Sequence, residues 1–141
     1  MVKKAAAGAP RISVSDVLVS IVDDDASVRR ALERLLASVG LRSVGYGSAG
    51  NYLESADVEV GDCLLLDLHL PGMSGIELLE HLSGVAPNLP VICMTGRHQP
   101  ELEQRATAAG ARPCLRKPFD QAELFDALST VMGVFIPSVD A

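Results

Sequence analysis

Residues 17–25 read Val17-Leu18-Val19-Ser20-Ile21-Val22-Asp23-Asp24-Asp25. A run that is apolar but for one serine, and mostly β-branched, leads straight into three carboxylates. Such a run, without polar alternation, suits a strand covered on both faces, and strands of that kind belong to parallel sheets. The period then changes. Val28, Leu32, Leu35, Leu36 and Val39 recur at helical spacing, with Arg29, Arg30, Glu33 and Arg34 off that stripe. Asp25 or Ser27 is suited to start this helix, and Gly40 to end it.

The same strand-then-helix alternation continues along the chain. Leu41 to Val44 reads as a short strand, and Ser48 as the cap of a short helix carrying Tyr52 and Leu53. Cys63-Leu64-Leu65-Leu66 is a second buried run, ending in Asp67. Ser74-Gly75-Ile76-Glu77 has capping-box form and opens a helix with Ile76, Leu79 and Leu82 on one face. Pro90 to Met94 is a third buried run, ending in Thr95. Pro100 suits the first turn of a helix reaching Gly110, whose mostly alanine face predicts thin packing. Arg112 to Arg116 reads as a last strand, placed at an edge because Pro113 cannot donate to a ladder. Asp120-Gln121-Ala122-Glu123 caps a final helix with Leu124, Leu128, Val131 and Met132 on one face. Five such units predict an α/β fold, a doubly wound five-stranded parallel sheet of order 2-1-3-4-5, flavodoxin-like. Residues 1–15 are expected to form a flexible arm, 16–133 the domain and 134–141 a short tail.

Composition narrows the function. A chain of 141 residues is the size of one domain. If all of it makes one α/β domain, nothing is left for a separate output domain. Twelve Lys and Arg against 18 Asp and Glu give a net charge of −6. That disfavours direct nucleic-acid contact, whose footprint is basic. No run approaches a membrane span. Lys3, Lys4 and Ala5 to Ala9 have a faint signal-peptide look, cut short by Pro10 and Arg11. Cys63, Cys93 and Cys114 are odd in number, share no metal-type spacing and lie in or beside apolar runs. A reduced, cytoplasmic protein is the expectation.

In the predicted topology the chemistry gathers at the carboxyl ends of adjacent strands. Asp23-Asp24-Asp25 follow the first, Asp67 the third, Thr95 the fourth, and Lys117-Pro118 the fifth. Two like charges about 4 Å apart repel by roughly 4 kcal/mol at an effective dielectric near 20, so a cation must offset them. Oxygen donors without His or Cys spacing suggest Mg²⁺ (or Mn²⁺), which favours a few carboxylates together with phosphate oxygens. Lys117 and Thr95 could hold further phosphate oxygens, and Asp67 becomes a plausible nucleophile.

The stretches Ile21 to Asp25 with Val28-Arg29, Leu66 to Gly75, Met94-Thr95-Gly96 and Lys117-Pro118-Phe119 resemble the receiver domains of two-component response regulators. The Asp-Asp-Asp-Ala-Ser-Val-Arg-Arg run and the Thr-Gly pair are most similar to FixJ-type receivers. The likeness spans about Val17 to Met132. It implies that Asp67 accepts phosphate from a histidine kinase or a phosphotransfer protein, and catalyses its own phosphorylation and dephosphorylation rather than turning over an external substrate. It implies that Asp24, Asp67 and the backbone carbonyl of His69 ligate Mg²⁺, with Asp23 acting through a metal-bound water. Lys117 would bridge to the acyl phosphate, with a cis bond to Pro118, and Thr95 would turn toward the phosphate. An unknown downstream protein would read the surface around the fourth helix, fifth strand and fifth helix.

This chain departs from that pattern at several points. Cys114 stands where the family carries Tyr or Phe, so coupling between Thr95 and an aromatic is expected to be weak; partner binding by a Cys114→Tyr variant, with and without phosphate, is the check. His69 and Arg97 occupy positions that tune phosphate lifetime in the family. The polar run His98 to Arg105 and Pro113 weigh against the family's usual dimer face, though dimerisation stays open.

Four rival readings exist. Gly45-Tyr46-Gly47-Ser48-Ala49-Gly50 has the spacing of a dinucleotide fingerprint. The strand before it is weak and the helix after it short, so the glycines read instead as easing a tight turn. A receiver-like interaction module that is never phosphorylated, and a receiver excised from a DNA-binding regulator, remain alternatives. A metal-dependent phosphohydrolase would need a second Asp where His69 stands.

Overall fold

The computed structural model describes residues 16–55, 61–96, 99–111, 114–133 and Ile136. The expectations for the arm at 1–15, for Arg97 and His98, for Arg112 and Pro113, and for the tail apart from Ile136 lie outside the described residues. Strands and helices alternate: β1 Leu18–Val22, α1 Ala26–Ser38, β2 Arg42–Tyr46, α2 Ala49–Glu54, β3 Cys63–Asp67, α3 Gly75–Val85, β4 Val91–Thr95, α4 Pro100–Ala108, β5 Cys114–Arg116 and α5 Gln121–Met132. The five strands pair in parallel in the order β2-β1-β3-β4-β5, as the alternation predicts.

Every residue of β3 and β4 is buried, which is why these runs show no polar alternation. Successive residues feed opposite layers. Val19, Ile21, Leu65, Ile92 and Met94 pack with Leu32 and Leu36 of α1 and Leu124 and Leu128 of α5. Val22, Leu64, Leu66, Val91 and Cys93 pack with Tyr52 of α2, Leu78, Leu79 and Leu82 of α3, and Ala106 of α4. Ala106 is the only buried residue within α4, so the thin packing read from its alanines holds.

Local signals set the helix ends. The Asp25 side chain accepts from the backbone N–H groups of Ser27 and Val28. Ser48 accepts from Asn51, and Ser74–Glu77 and Asp120–Glu123 form complete capping boxes. These caps tie each helix start to the loop leaving the carboxyl end of the preceding strand. Pro100 opens α4, where its missing N–H leaves no bond unmade.

Candidate functional site

The loop after β1 and the ends of β3, β4 and β5 form one crevice. Single carboxylate oxygens of Asp23, Asp24 and Asp67 all lie within 4.8 Å of one another. Asp23 and Asp67 are buried, and Asp24 is exposed. Lys117 reaches in from the end of β5. Its Nζ lies 2.7 Å from Asp23 Oδ2 and 3.4 Å from Asp67 Oδ2. The other Asp23 oxygen, Oδ1, accepts from the Asp25 backbone N–H at 2.9 Å.

Asp67 Oδ1 accepts from the His69 backbone N–H at 3.0 Å. The His69 ring turns back so that Nε2 lies 3.1 Å from Thr95 Oγ1. Thr95 is buried at the end of β4, and its carbonyl accepts from the Lys117 backbone N–H at 2.7 Å. The Lys117–Pro118 bond is cis, in keeping with the resemblance.

The electrostatics follow from burial and neighbours. Burial pushes the Asp67 carboxyl above its ordinary range, and the nearby Asp23 charge adds to this. The His69 N–H and Lys117 pull the other way without cancelling it. Burial works against the charge of Lys117, but the carboxylates of Asp23 and Asp67 outweigh it and hold the ammonium above the usual lysine range.

Two structural supports had no obvious sequence signal. Arg29 Nη1 donates to the Asp23 carbonyl oxygen at 2.7 Å, pinning the backbone of the acidic loop from the first turn of α1. The hint lay in the glycines of the dinucleotide-like stretch. A Cβ on Gly45 would stand 2.8 Å from Glu33 Oε2 and 3.1 Å from Arg29 Cδ, and one on Gly47 would stand 3.3 Å from Arg29 Nη1. Gly47 lies in the two-residue link from β2 to α2, in keeping with a tight turn, and both glycines, neither with a positive φ, also make room for side chains of α1. Gly75 is the second support. A Cβ there would run into the Asp67 carbonyl oxygen and stand 2.6 Å from Leu68 Cα, so only glycine lets α3 start this close to the Asp67 loop.

The structure therefore brings together Asp23, Asp24, Asp67, His69, Thr95 and Lys117. Arg97 lies outside the described residues. Cys114 sits apart, two residues before the end of β5, against the α3–α4 layer. Among the described residues, no helix is long and apolar enough to cross a membrane.

A doubly wound sheet whose carboxyl edge gathers carboxylates, a hydroxyl and a lysine defines a domain of the response-regulator class. Residues 19–129 match the model of the response regulator receiver domain, and the chain belongs to that family. It is 41% identical over 111 residues to nodulation protein W of Bradyrhizobium diazoefficiens, covering 79% of this chain and 49% of that protein. It is 36% identical over 115 residues to the transcriptional regulatory protein FixJ of Azorhizobium caulinodans, covering 82% of this chain and 54% of that one. The chain thus spans about half the length of these relatives. A crystal structure of a response regulator receiver protein from Burkholderia phymatum superposes with a TM-score of 0.76 at 39% identity, covering 86% of this chain and 99% of that one.

Proposed function

We propose that Asp67 accepts a phosphoryl group from a histidine kinase or a phosphotransfer protein, with Mg²⁺ (or Mn²⁺) required. The new charge then switches a protein-interaction surface. The observation that carries this reading is the convergence of Asp23, Asp24 and Asp67 within 4.8 Å beside a single reaching lysine. Three carboxylates against one ammonium leave negative charge uncompensated, and an all-oxygen donor set fits a hard divalent cation. Asp24, Asp67 and the His69 carbonyl would hold it. Asp23, held by Lys117 at 2.7 Å and by the Asp25 N–H at 2.9 Å, would act through a metal-bound water, as the resemblance implies. When bound, the cation supplies positive charge to the phosphoryl oxygens.

The chain's own groups do the rest. An Asp67 oxygen attacks phosphorus, the bond from phosphorus to the donor imidazole nitrogen breaks, and the imidazole leaves with a proton. Lys117 already spans Asp23 and Asp67 and is placed to hold a phosphoryl oxygen. The Thr95 hydroxyl, now engaged by His69, is the nearby group that a phosphate would recruit. Burial of Asp67 and Thr95 gives the site a low-dielectric setting, where charge stabilisation is stronger.

Incubation with acetyl phosphate and Mg²⁺, followed by intact mass, tests this. One phosphoryl adduct per chain is expected, stable to acid and labile to base. It should be absent from Asp67→Asn and in the presence of EDTA. No adduct on the wild type would turn the reading to an unphosphorylated interaction module. Steady turnover of phosphomonoesters would indicate a phosphohydrolase. The length and name of the FixJ relative support a further reading, in which this receiver serves a longer transcription regulator.

A further inference from the structure

Two of the three cysteines are neighbours in space. Cys93 in β4 and Cys114 in β5 are register partners on adjacent parallel strands, so their side chains leave the sheet on the same face. Both pack into the α3–α4 layer. Neighbouring strands lie about 4.8 Å apart, inside the Cα window of roughly 4.4–6.8 Å that a disulfide spans. Cys93 is fully buried, whereas Cys114 is half-buried on a short strand. A hydrogen bond from the Cys93 thiol holds the Cys114 thiol below its ordinary range despite burial and Glu103, with help from Arg116. The same bond pushes Cys93 up. Cys63 differs in each respect. It packs in the opposite layer, against the α1–α5 side, and burial pushes its thiol up to about 12.

We propose that Cys93 and Cys114 form a dithiol site that hydrogen peroxide oxidises to an intramolecular disulfide. Cys114, the accessible member of the pair, attacks the peroxide. Its sulfur forms a bond to one peroxide oxygen, the O–O bond breaks, and hydroxide leaves. The Cys93 thiol then attacks the Cys114 sulfenic acid, the S–S bond forms, and water leaves. In sum two thiols lose two hydrogens and one peroxide becomes two waters. The pair lies two residues before Thr95 and three before Lys117, on strands that share the rim of the Asp67 crevice. The site is independent of the phosphorylation reading.

The test uses wild-type protein treated with hydrogen peroxide, quenched with catalase, denatured and alkylated with iodoacetamide. The expected result is one alkyl label, on Cys63, with a cross-linked peptide pair carrying Cys93 and Cys114, and three labels again after dithiothreitol. Labels on all three cysteines would overturn the proposal. So would an alkylated Cys93 beside an over-oxidised Cys114, or a disulfide-linked dimer. A second arm follows Cys114→Ala, a change at the half-buried member of the pair. Cys93 should then resist peroxide, and its oxidation at the wild-type rate would refute the assignment of Cys114 as the attacking thiol.

Discussion

The His69 ring and the Thr95 hydroxyl are partners across the mouth of the crevice, with Nε2 3.1 Å from Oγ1. The contact joins a residue two positions beyond Asp67 to the last residue of β4. A cleft of about 670 Å³ lined by His69, Leu70, Gln99 and Leu102 among others gives the ring room to leave. While it stays, the imidazole occupies the hydroxyl that a phosphate would recruit, and a ring carried two residues beyond Asp67 is expected to hinder the approach of water there.

Removing the ring should shorten the life of the phosphorylated state. His69→Ala is expected to lose phosphate faster than wild type by on the order of fivefold, the effect of ~1 kcal/mol on the barrier. Decay of the phosphoryl adduct by intact mass after removal of acetyl phosphate measures it. A lifetime equal to or longer than that of wild type would mean that the ring does not shield Asp67.

Lys117 also stabilises the fold, because Asp23 is fully buried and its Oδ2 has this ammonium at 2.7 Å. Lys117→Met leaves that carboxylate without its cation, which typically costs ~3–5 kcal/mol. Saturating Mg²⁺ should restore part of the loss, since a ligand that binds only the folded state stabilises it. Asp67→Asn should move stability the other way. The folded chain raises the Asp67 pKa, so the charged form opposes folding at neutral pH and its removal stabilises. Urea midpoints with and without Mg²⁺ decide both points, and a Lys117→Met midpoint equal to wild type would contradict the first.

Gly75 and Gly84 lie in the same helix and should respond in opposite directions. A Cβ at Gly75 meets the Asp67–Leu68 backbone, which cannot yield as a side chain can. Gly75→Ala is expected to cost ~1–3 kcal/mol and to slow phosphorylation by shifting Asp67. A Cβ at Gly84 meets nothing within 4 Å, so Gly84→Ala should gain ~0.5–1 kcal/mol from helix propensity. Thermal melts of the two variants against wild type provide the comparison.

The parts of the sequence that could be read were those with a local cause. Runs such as Cys63 to Leu66 are apolar because both sheet faces are covered, and Ser74–Glu77 is a cap whatever surrounds it. Strand order followed from the alternation, and the order placed Asp23, Asp67, Thr95 and Lys117 at one edge. Legibility ended where a side chain's direction depends on tertiary contacts. Arg29 looked like one more charge off the apolar stripe, yet it bonds the Asp23 carbonyl. Gly45 and Gly47 carry a second role that local sequence does not show, because the side chains of Arg29 and Glu33 for which they leave space belong to another element. The ring of His69 could have faced solvent, and only the packed crevice shows it on Thr95.

Tyr52 gives a stability prediction independent of the crevice. Its ring is 2% exposed and stands edge-on to Tyr46 at 5.3 Å. Burial, aided by Tyr46, pushes its phenol from 10.0 up to about 12. A folded-state pKa above the unfolded value means the folded chain keeps its proton longer. Stability from this group is therefore intact below pH 10 and is lost as pH climbs toward 12, at about 1.4 kcal/mol per unit within that window. Cys63 adds a slope of the same sign that starts lower, since its thiol rises from 9.0 to about 12. Tyr52→Phe should thus match the alkaline decline of wild type between pH 9 and 10 and fall less steeply above pH 10. Urea denaturation followed by far-UV circular dichroism at stepped pH measures both slopes. Parallel declines of the two proteins above pH 10 would show that the Tyr52 phenol ionises as readily folded as unfolded.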